Sequence, residues 1–154
     1  MATEIERKFL VSADWPRPAQ GTRLLQGYLS RGAVSVRVRT SAERAWLTVK
    51  GPTSGLSRAE FEYEVPLVDA EEMLALSPTK PIEKTRYLVP LGRHVVEVDV
   101  FAGENAGLVV AEIELATEDE SFDKPSWLGE EVTTDPRYRN TALAESPYST
   151  WQSS

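Results

Sequence analysis

The sequence has 154 residues, of which 41% are hydrophobic and 27% charged, with a formal net charge of −7 and no cysteine. This length suits one domain with its own core, and without cysteine there are no disulfides, thiolate nucleophiles or zinc–sulfur sites. The acidic balance argues against non-specific nucleic-acid binding, which rests on Lys and Arg neutralising phosphates, and no apolar run approaches the ~20 residues of a membrane-spanning helix.

The opening residues are charged from Glu4 onward and lack the apolar centre of a signal peptide. The cytoplasm is therefore the expected compartment. Side chains alternate faces along a strand, and residues 3–11 read as a strand with Glu4, Glu6 and Lys8 on one face. Strands follow over residues 23–31 and 34–40, the latter with Arg37 and Arg39 opposite Val36 and Val38. Residues 45–50 put Lys50 and Thr48 opposite Leu47 and Val49. Residues 57–65 carry the stripe Arg58, Glu60, Glu62 and Glu64 opposite Phe61, Tyr63 and Val65. The spacing then predicts a two-turn helix over residues 69–76, capped by Asp69 and stopped before Pro78. Three further strands are predicted over residues 82–89 (Lys84, Arg86), 94–101 (Glu97, Asp99) and 108–116 (Glu112, Glu114). Residues 118–129 read as an acidic loop, and residues 136–145 as a second helix with Asp135 as cap and Pro136 at its first position. No repeat or linker divides the chain, so residues 1–154 are read as one domain. The fold class is mainly β (α+β). Short connections between the eight strands predict consecutive antiparallel neighbours, a meander or an up-and-down barrel.

For any one strand, a charged face is ordinarily a solvated face. Here almost every strand has one, and each stripe is built of Glu/Asp or Lys/Arg in short blocks. A closed sheet would turn these faces inward, where unmatched burial costs several kcal/mol per ion. Such a lumen suits water, ion pairs, or a highly charged ligand together with metal ions. Arg and Lys suit phosphate oxygens, and paired carboxylates without Cys suit a hard cation such as Mg2+ or Mn2+. A polyphosphate with a metal answers both halves of the lining. The single histidine, His94, lacks an evident orienting partner and is not expected to be catalytic. Trp15, Trp46, Trp127 and Trp151 are read as wall and cover residues.

The run Glu4-Ile5-Glu6-Arg7-Lys8 resembles the ExExK signature of the CYTH superfamily, the triphosphate tunnel metalloenzymes. Further blocks match in order: Gln26-Gly27-Tyr28-Leu29, Arg37-Val38-Arg39, Leu47-Thr48-Val49-Lys50-Gly51, Glu60-Phe61-Glu62, Lys84-Thr85-Arg86, Glu97-Val98-Asp99-Val100-Phe101, Glu112-Ile113-Glu114-Leu115 and Tyr138-Arg139-Asn140. The resemblance implies an eight-stranded antiparallel closed barrel with a few flanking helices, its lumen a triphosphate tunnel. It also implies that Lys8, Arg37, Arg39, Lys50, Lys84 and Arg86 grip phosphate oxygens, and that Glu4, Glu6, Asp99, Glu112 and Glu114 hold one or two Mg2+ or Mn2+ ions. Glu62 is expected to orient the basic residues, and Arg58 to sit in a structural salt bridge on its stripe. Lys8, assisted by Tyr28, is placed at the leaving oxygen, with water activated at the carboxylates that begin with Glu4 and Glu6. The short length is similar to short bacterial members and favours hydrolysis of inorganic tripolyphosphate to pyrophosphate and phosphate. The alternatives are a nucleoside or thiamine triphosphatase, an adenylate cyclase, and a polyphosphate-binding module without turnover. The partner is thus a small triphosphate or polyphosphate, with no nucleic acid and no membrane. A homodimer would have to use outer helices or apolar wall patches.

Overall fold

The computed structural model describes residues 3–151. The strands are β1 (Thr3–Val11), β2 (Thr22–Ser30), β3 (Ser35–Thr40), β4 (Ala45–Lys50), β5 (Ser57–Val65), β6 (Ile82–Leu91), β7 (His94–Phe101), β8 (Val109–Glu114) and β9 (Leu128–Glu131), and the helices are α1 (Leu67–Ala75) and α2 (Asn140–Glu145). All pairings are antiparallel, in the order β5-β4-β3-β2-β6-β7-β8-β1-β9, and an additional β5–β1 pairing closes eight strands into a barrel. The order departs from a simple up-and-down sequence. Two meanders, β2 to β5 and β6 to β8, join through β2–β6, and β1 is the strand that closes the ring.

β1 is shared. Residues 3–5 pair with β5, residues 6–10 pair with β8, and Phe9 and Val11 pair with β9 across a register shift. Ile5 faces Ser57 on one edge and accepts the Leu115 N–H at its carbonyl on the other, so β5 and β9 divide the edge opposite β8. β9 falls where the sequence reads as the end of an acidic loop. It is too short to show an alternation of its own, and it forms because the end of β1 offers it unpaired backbone groups.

The charged faces point inward and the apolar faces pack outward. The largest outer cluster gathers Phe9, Tyr87, Val96, Val98, Ala111 and Ile113 under Trp127 and Leu128. His94 lies outside the lumen and helps pin the segment over this cluster, with Nε2 2.5 Å from Glu120 Oε2. A second outer cluster packs Val38 and Ala45 beneath Leu67, Ala70, Met73 and Leu74 of α1. That helix begins two residues before the expected cap. Pro66, with φ −58°, precedes Leu67, and Asp69 lies inside the first turn, because the spacing of Leu67, Ala70 and Leu74 needs the earlier turn to reach the barrel. Gly27 of β2 makes room for it: a Cβ there would lie 3.0 Å from Leu74 Cδ2. Phe61 and Tyr63 on β5 are left exposed.

A third cluster, Tyr28, Ile82, Phe101, Leu108, Val110 and Leu143, fills one end of the barrel. Register places Tyr28, Ile82, Phe101 and Val110 in the same rows as the charged residues, so this is the lumen's apolar end, covered by α2. The expected second helix is broken in two. A 3-10 turn spans Pro136–Tyr138, with Asp135 accepting from Arg137 N–H, and Arg139 is extended (φ −71°, ψ 140°) before α2 starts. The break has a cause in the lumen, where Lys8 Nζ donates to Tyr138 O at 3.0 Å. Among the described residues no helix is long and apolar enough to cross a membrane.

Leu143, 1% exposed, is the α2 side chain that packs into the lumen's apolar cluster. Leu143→Ala should lower the unfolding free energy by about 2–4 kcal/mol in urea titrations. Val34→Ala, at an exposed position, should change it by less than about 0.5 kcal/mol.

Candidate active site

Cross-strand pairing sets the neighbours within the lumen. Around the ring it places Glu6 opposite Glu114, Lys8 opposite Glu112, Glu112 opposite Glu97, and Asp99 opposite Arg86. On the far wall Arg37 faces Thr48, Thr48 faces Glu62, Lys50 faces Glu60, and Arg58 faces Glu4. The resulting space is a cavity of about 170 Å3 lined by Glu4, Glu6, Lys8, Tyr28, Arg37, Lys50, Arg86 and Glu112 among others. It runs into a second of about 180 Å3 that shares most of those residues and adds Arg39, Glu60, Glu62, Glu97 and Glu114. Lys84 and Asp99, buried behind the wall, line neither.

Every expected cation has an acidic neighbour. Lys50 Nζ donates to both Glu4 oxygens at 3.0 Å and lies 3.3 Å from Glu60. Lys8 Nζ is 3.6 Å from Glu112. Arg37 and Arg39 share Glu62 at 3.8 and 3.7 Å, and Thr48 donates to the same carboxylate at 3.0 Å. Arg86 makes a two-pronged contact to Asp99, at 2.8 and 3.0 Å, and reaches Glu97 at 3.2 Å. Lys84 Nζ lies 2.8 Å from Asp99 Oδ2, although its alignment is not that of a hydrogen bond. These contacts leave donors over. Arg37 Nε and Arg39 Nε are buried without a hydrogen-bond partner, a state that costs about 1–3 kcal/mol per group unless a ligand or water relieves it.

The titration of these groups reports the same crowding. Burial, with Arg37 and Arg86 nearby, pushes the Arg39 guanidinium down to about 10. Burial lowers Lys84 to about 8, against the pull of Asp99. Burial raises Arg86's acidity, but its Asp99 and Glu97 contacts outweigh this and hold it well above the usual range. Among the acids, burial and the charges of Glu112 and Glu4 push Glu6 well up. Burial and Glu4 push Glu60 to about 7. Burial opposes ionisation of Glu112 too, yet Lys8, Arg86, Lys84 and a hydrogen bond from Glu6 keep it below the carboxylate range. Burial and like charge thus favour one proton held between Glu60 and Glu4 and another between Glu6 and Glu112.

A divalent cation fits this donor set in its chemistry. The ligands are all hard oxygens, and a dication can take the place of the shared protons. Among the described residues no three acids converge on a single point. Asp99, expected among metal ligands, departs furthest from that role: both oxygens are occupied by Arg86 and Lys84. Arg58 departs from its expected salt bridge. Its Nε donates to Gly51 O at 3.1 Å, and the side chain lines the cavity.

Several lining residues lie outside the expected set. Glu60 and Glu97 share stripes with expected residues, so alternation could have found them. Gln26, which lines neither cavity but is fully buried with both amide atoms unpartnered, pairs with Arg39 in register. Thr133, Thr134 and Arg139 come from irregular chain and Asn140 from the first residue of α2, where no periodicity marks them. Trp46, on the inward row, lies between the Arg39 and Arg44 guanidinium groups, 5.6 and 5.5 Å from its ring.

Residues 2–142 match the CYTH domain family. The chain is similar to the inorganic triphosphatase of Acetivibrio thermocellus, 49% identical over 151 residues, or 96% of this chain and 97% of that protein. It is similar to the inorganic triphosphatase of Nitrosomonas europaea, 39% identical over 148 residues, or 92% and 97% of the two chains. A crystal structure of an inorganic triphosphatase superposes with a TM-score of 0.66 at 36% identity, over 91% of this chain and 96% of that one.

Protonated Glu60 gives a testable pH dependence. Its carboxyl titrates at about 7 in the fold against 4.5 when unperturbed. The folded state therefore binds the proton more tightly. This stabilisation is complete below the unfolded value and is lost as pH rises through the folded one. With chelator present, the thermal midpoint should fall across that window, and Glu60→Gln should flatten the fall. An undiminished slope in the variant would assign it to other groups.

Proposed function

The chain belongs to the CYTH domain family, and we propose that it hydrolyses inorganic tripolyphosphate to pyrophosphate and phosphate inside the barrel, with Mg2+ or Mn2+ as cofactor. The observation that carries this reading is the imbalance of the lumen. The buried Nε donors of Arg37 and Arg39 are left without partners beside carboxyls that burial and like charge push toward protonation. A polyanion satisfies the first group and a dication the second. Location in the cytoplasm belongs to the same proposal.

In this reading Arg37, Arg39, Lys50 and Arg86 bind phosphoryl oxygens from the cavity wall, and the guanidinium groups can grip two at once. Lys84 acts from behind the wall, adding positive charge through Arg86 and Asp99. Asp99 aims both cations, and Glu62 sets the spacing of Arg37 and Arg39. Glu4, Glu6, Glu112 and Glu114 would hold the metal, which supplies charge neutralisation and a more acidic water when bound. Glu4 and Glu6 would also orient the attacking water. Lys8 holds only a backbone carbonyl and a carboxylate 3.6 Å away, so its ammonium can turn onto the leaving oxygen and neutralise it as the P–O bond breaks. The Tyr28 hydroxyl lines the same cavity and assists Lys8 there. Water exclusion is aided by the apolar end under Leu143. Acceleration comes from positioning and electrostatics, as is usual for phosphoryl transfer.

The test incubates purified protein with tripolyphosphate, ATP or thiamine triphosphate, each with Mg2+ or Mn2+, and measures phosphate and cyclic AMP together. Phosphate release should be fastest from tripolyphosphate and should stop on chelation. Cyclic AMP as the main product would overturn the reading, and absence of turnover on any substrate would favour a binding module. Glu4→Ala and Glu114→Ala should each abolish metal-dependent turnover while circular dichroism stays that of the folded barrel. Arg37→Gln should chiefly raise KM, by about tenfold.

A further inference from the structure

The two mouths of the tunnel differ in charge. One is lined by Glu60, Glu62, Glu97 and Glu114 against Arg39. At the other, the outer lining is Thr53, Arg58, Thr134, Arg139, Asn140 and Thr141, with no carboxylate among them. Acids do lie near this second mouth, but each is engaged elsewhere. Glu118 accepts the Leu56 N–H at 2.8 Å, Glu131 holds Arg7 and Thr133, and Asp135 holds Arg137 at 2.7 Å. Among the described residues Arg139 and Arg58 have no ion-pair partner, and Arg139 is exposed. The Asn140 Oδ1 on the same wall is buried and unpartnered.

The chain builds this mouth deliberately in one respect. Arg139 reaches it because the backbone is extended between the 3-10 turn and α2, and the segment is held against β1 by Lys8 N–H to Thr133 Oγ1 and Val132 N–H to Lys8 O, at 2.9 and 2.8 Å. A linear polyanion lying along the inner cations has to point its outer end at one mouth. At the first, Glu114 has no ion-pair partner among the described residues and repels it, whereas two guanidinium groups without ion-pair partners and several hydroxyls attract it to the second.

We infer that the tunnel is directional, and that Arg58 and Arg139 form an outer anion subsite seating the distal phosphate of linear polyphosphates longer than tripolyphosphate. This rests on the hydrolase reading for the placement of the inner phosphates, and it deepens that reading by naming a chain-length preference. Neither arginine is needed to neutralise a neighbouring acid, so both are available for phosphate oxygens.

Calorimetric titration of the whole protein in chelator, with tripolyphosphate and with tetrapolyphosphate, tests it without turnover. The wild type should bind the longer chain more tightly, by about fivefold, as for one or two partly exposed charge contacts. Arg139→Gln and Arg58→Gln should each bring the ratio of the two dissociation constants toward one, and Arg139→Glu should invert it. Equal affinity for the two lengths in the wild type would overturn the inference, as would variants that weaken both ligands alike. A ratio that responds to Glu97→Gln at the opposite mouth, and not to Arg139, would overturn the direction assigned. Failure of the wild type to release phosphate from tripolyphosphate would strike the hydrolase reading alone, since the binding ratio is measured without it.

Discussion

Opposite charges confined within one closed sheet set the terms for everything else in this molecule. Each of the six inner cations would be costly to bury alone, and each has a carboxylate within 4 Å, such as Lys50 with Glu4 and Arg86 with Asp99. The match is incomplete by design of the wall. Arg37 and Arg39 must share Glu62, and Glu6 stands among acids with no cation of its own. A lumen balanced pair by pair would be inert, whereas this one holds a surplus of donors on one wall and a surplus of acids on another. The cost is met outside the barrel. There the apolar faces of the strands are buried beneath β9, α1 and the segment carrying Trp127.

Much of this was legible in the alternation of residues. Arg37 and Arg39, Lys84 and Arg86, and Glu112 and Glu114 sit two apart, and a strand has no other way to treat such pairs than to put them on one face. What alternation cannot decide is whether that face looks in or out. Closure supplied the answer, and closure depends on pairings between distant segments. The strand order was less accessible for the same reason: nothing local to β1 says that it serves β5, β8 and β9 at once. The fate of Asp99 was hidden too, since its occupation by Arg86 and Lys84 follows from side-chain reach across β6 and β7. Arg139 lay beyond any periodic reading, because its position comes from a break in a helix that the sequence alone would have left continuous.

That break shows how closely the covering segment is tied to the lumen. Lys8 meets residues 132–138 three times: it donates its N–H to Thr133, accepts from Val132 N–H, and donates from Nζ to Tyr138 O. One residue of the inward row therefore fixes the path of the segment that forms a mouth and leads into α2. A ligand that recruits the Lys8 ammonium takes one of those three ties with it, while the two backbone ties keep the segment in place.

The sharing of β1 also has a consequence for the order of assembly. β1 is made before any of its partners and is the last strand of the barrel that can be fully paired, because those partners lie at residues 57–59, 110–114 and 128–131. Until those segments are made, Glu4, Glu6 and Lys8 face water on an edge with no neighbour. Such long sequence separations make ring closure slow relative to the two local meanders. The chain thus acquires its sheets early and its tunnel late, and the charged groups remain hydrated until the step that encloses them.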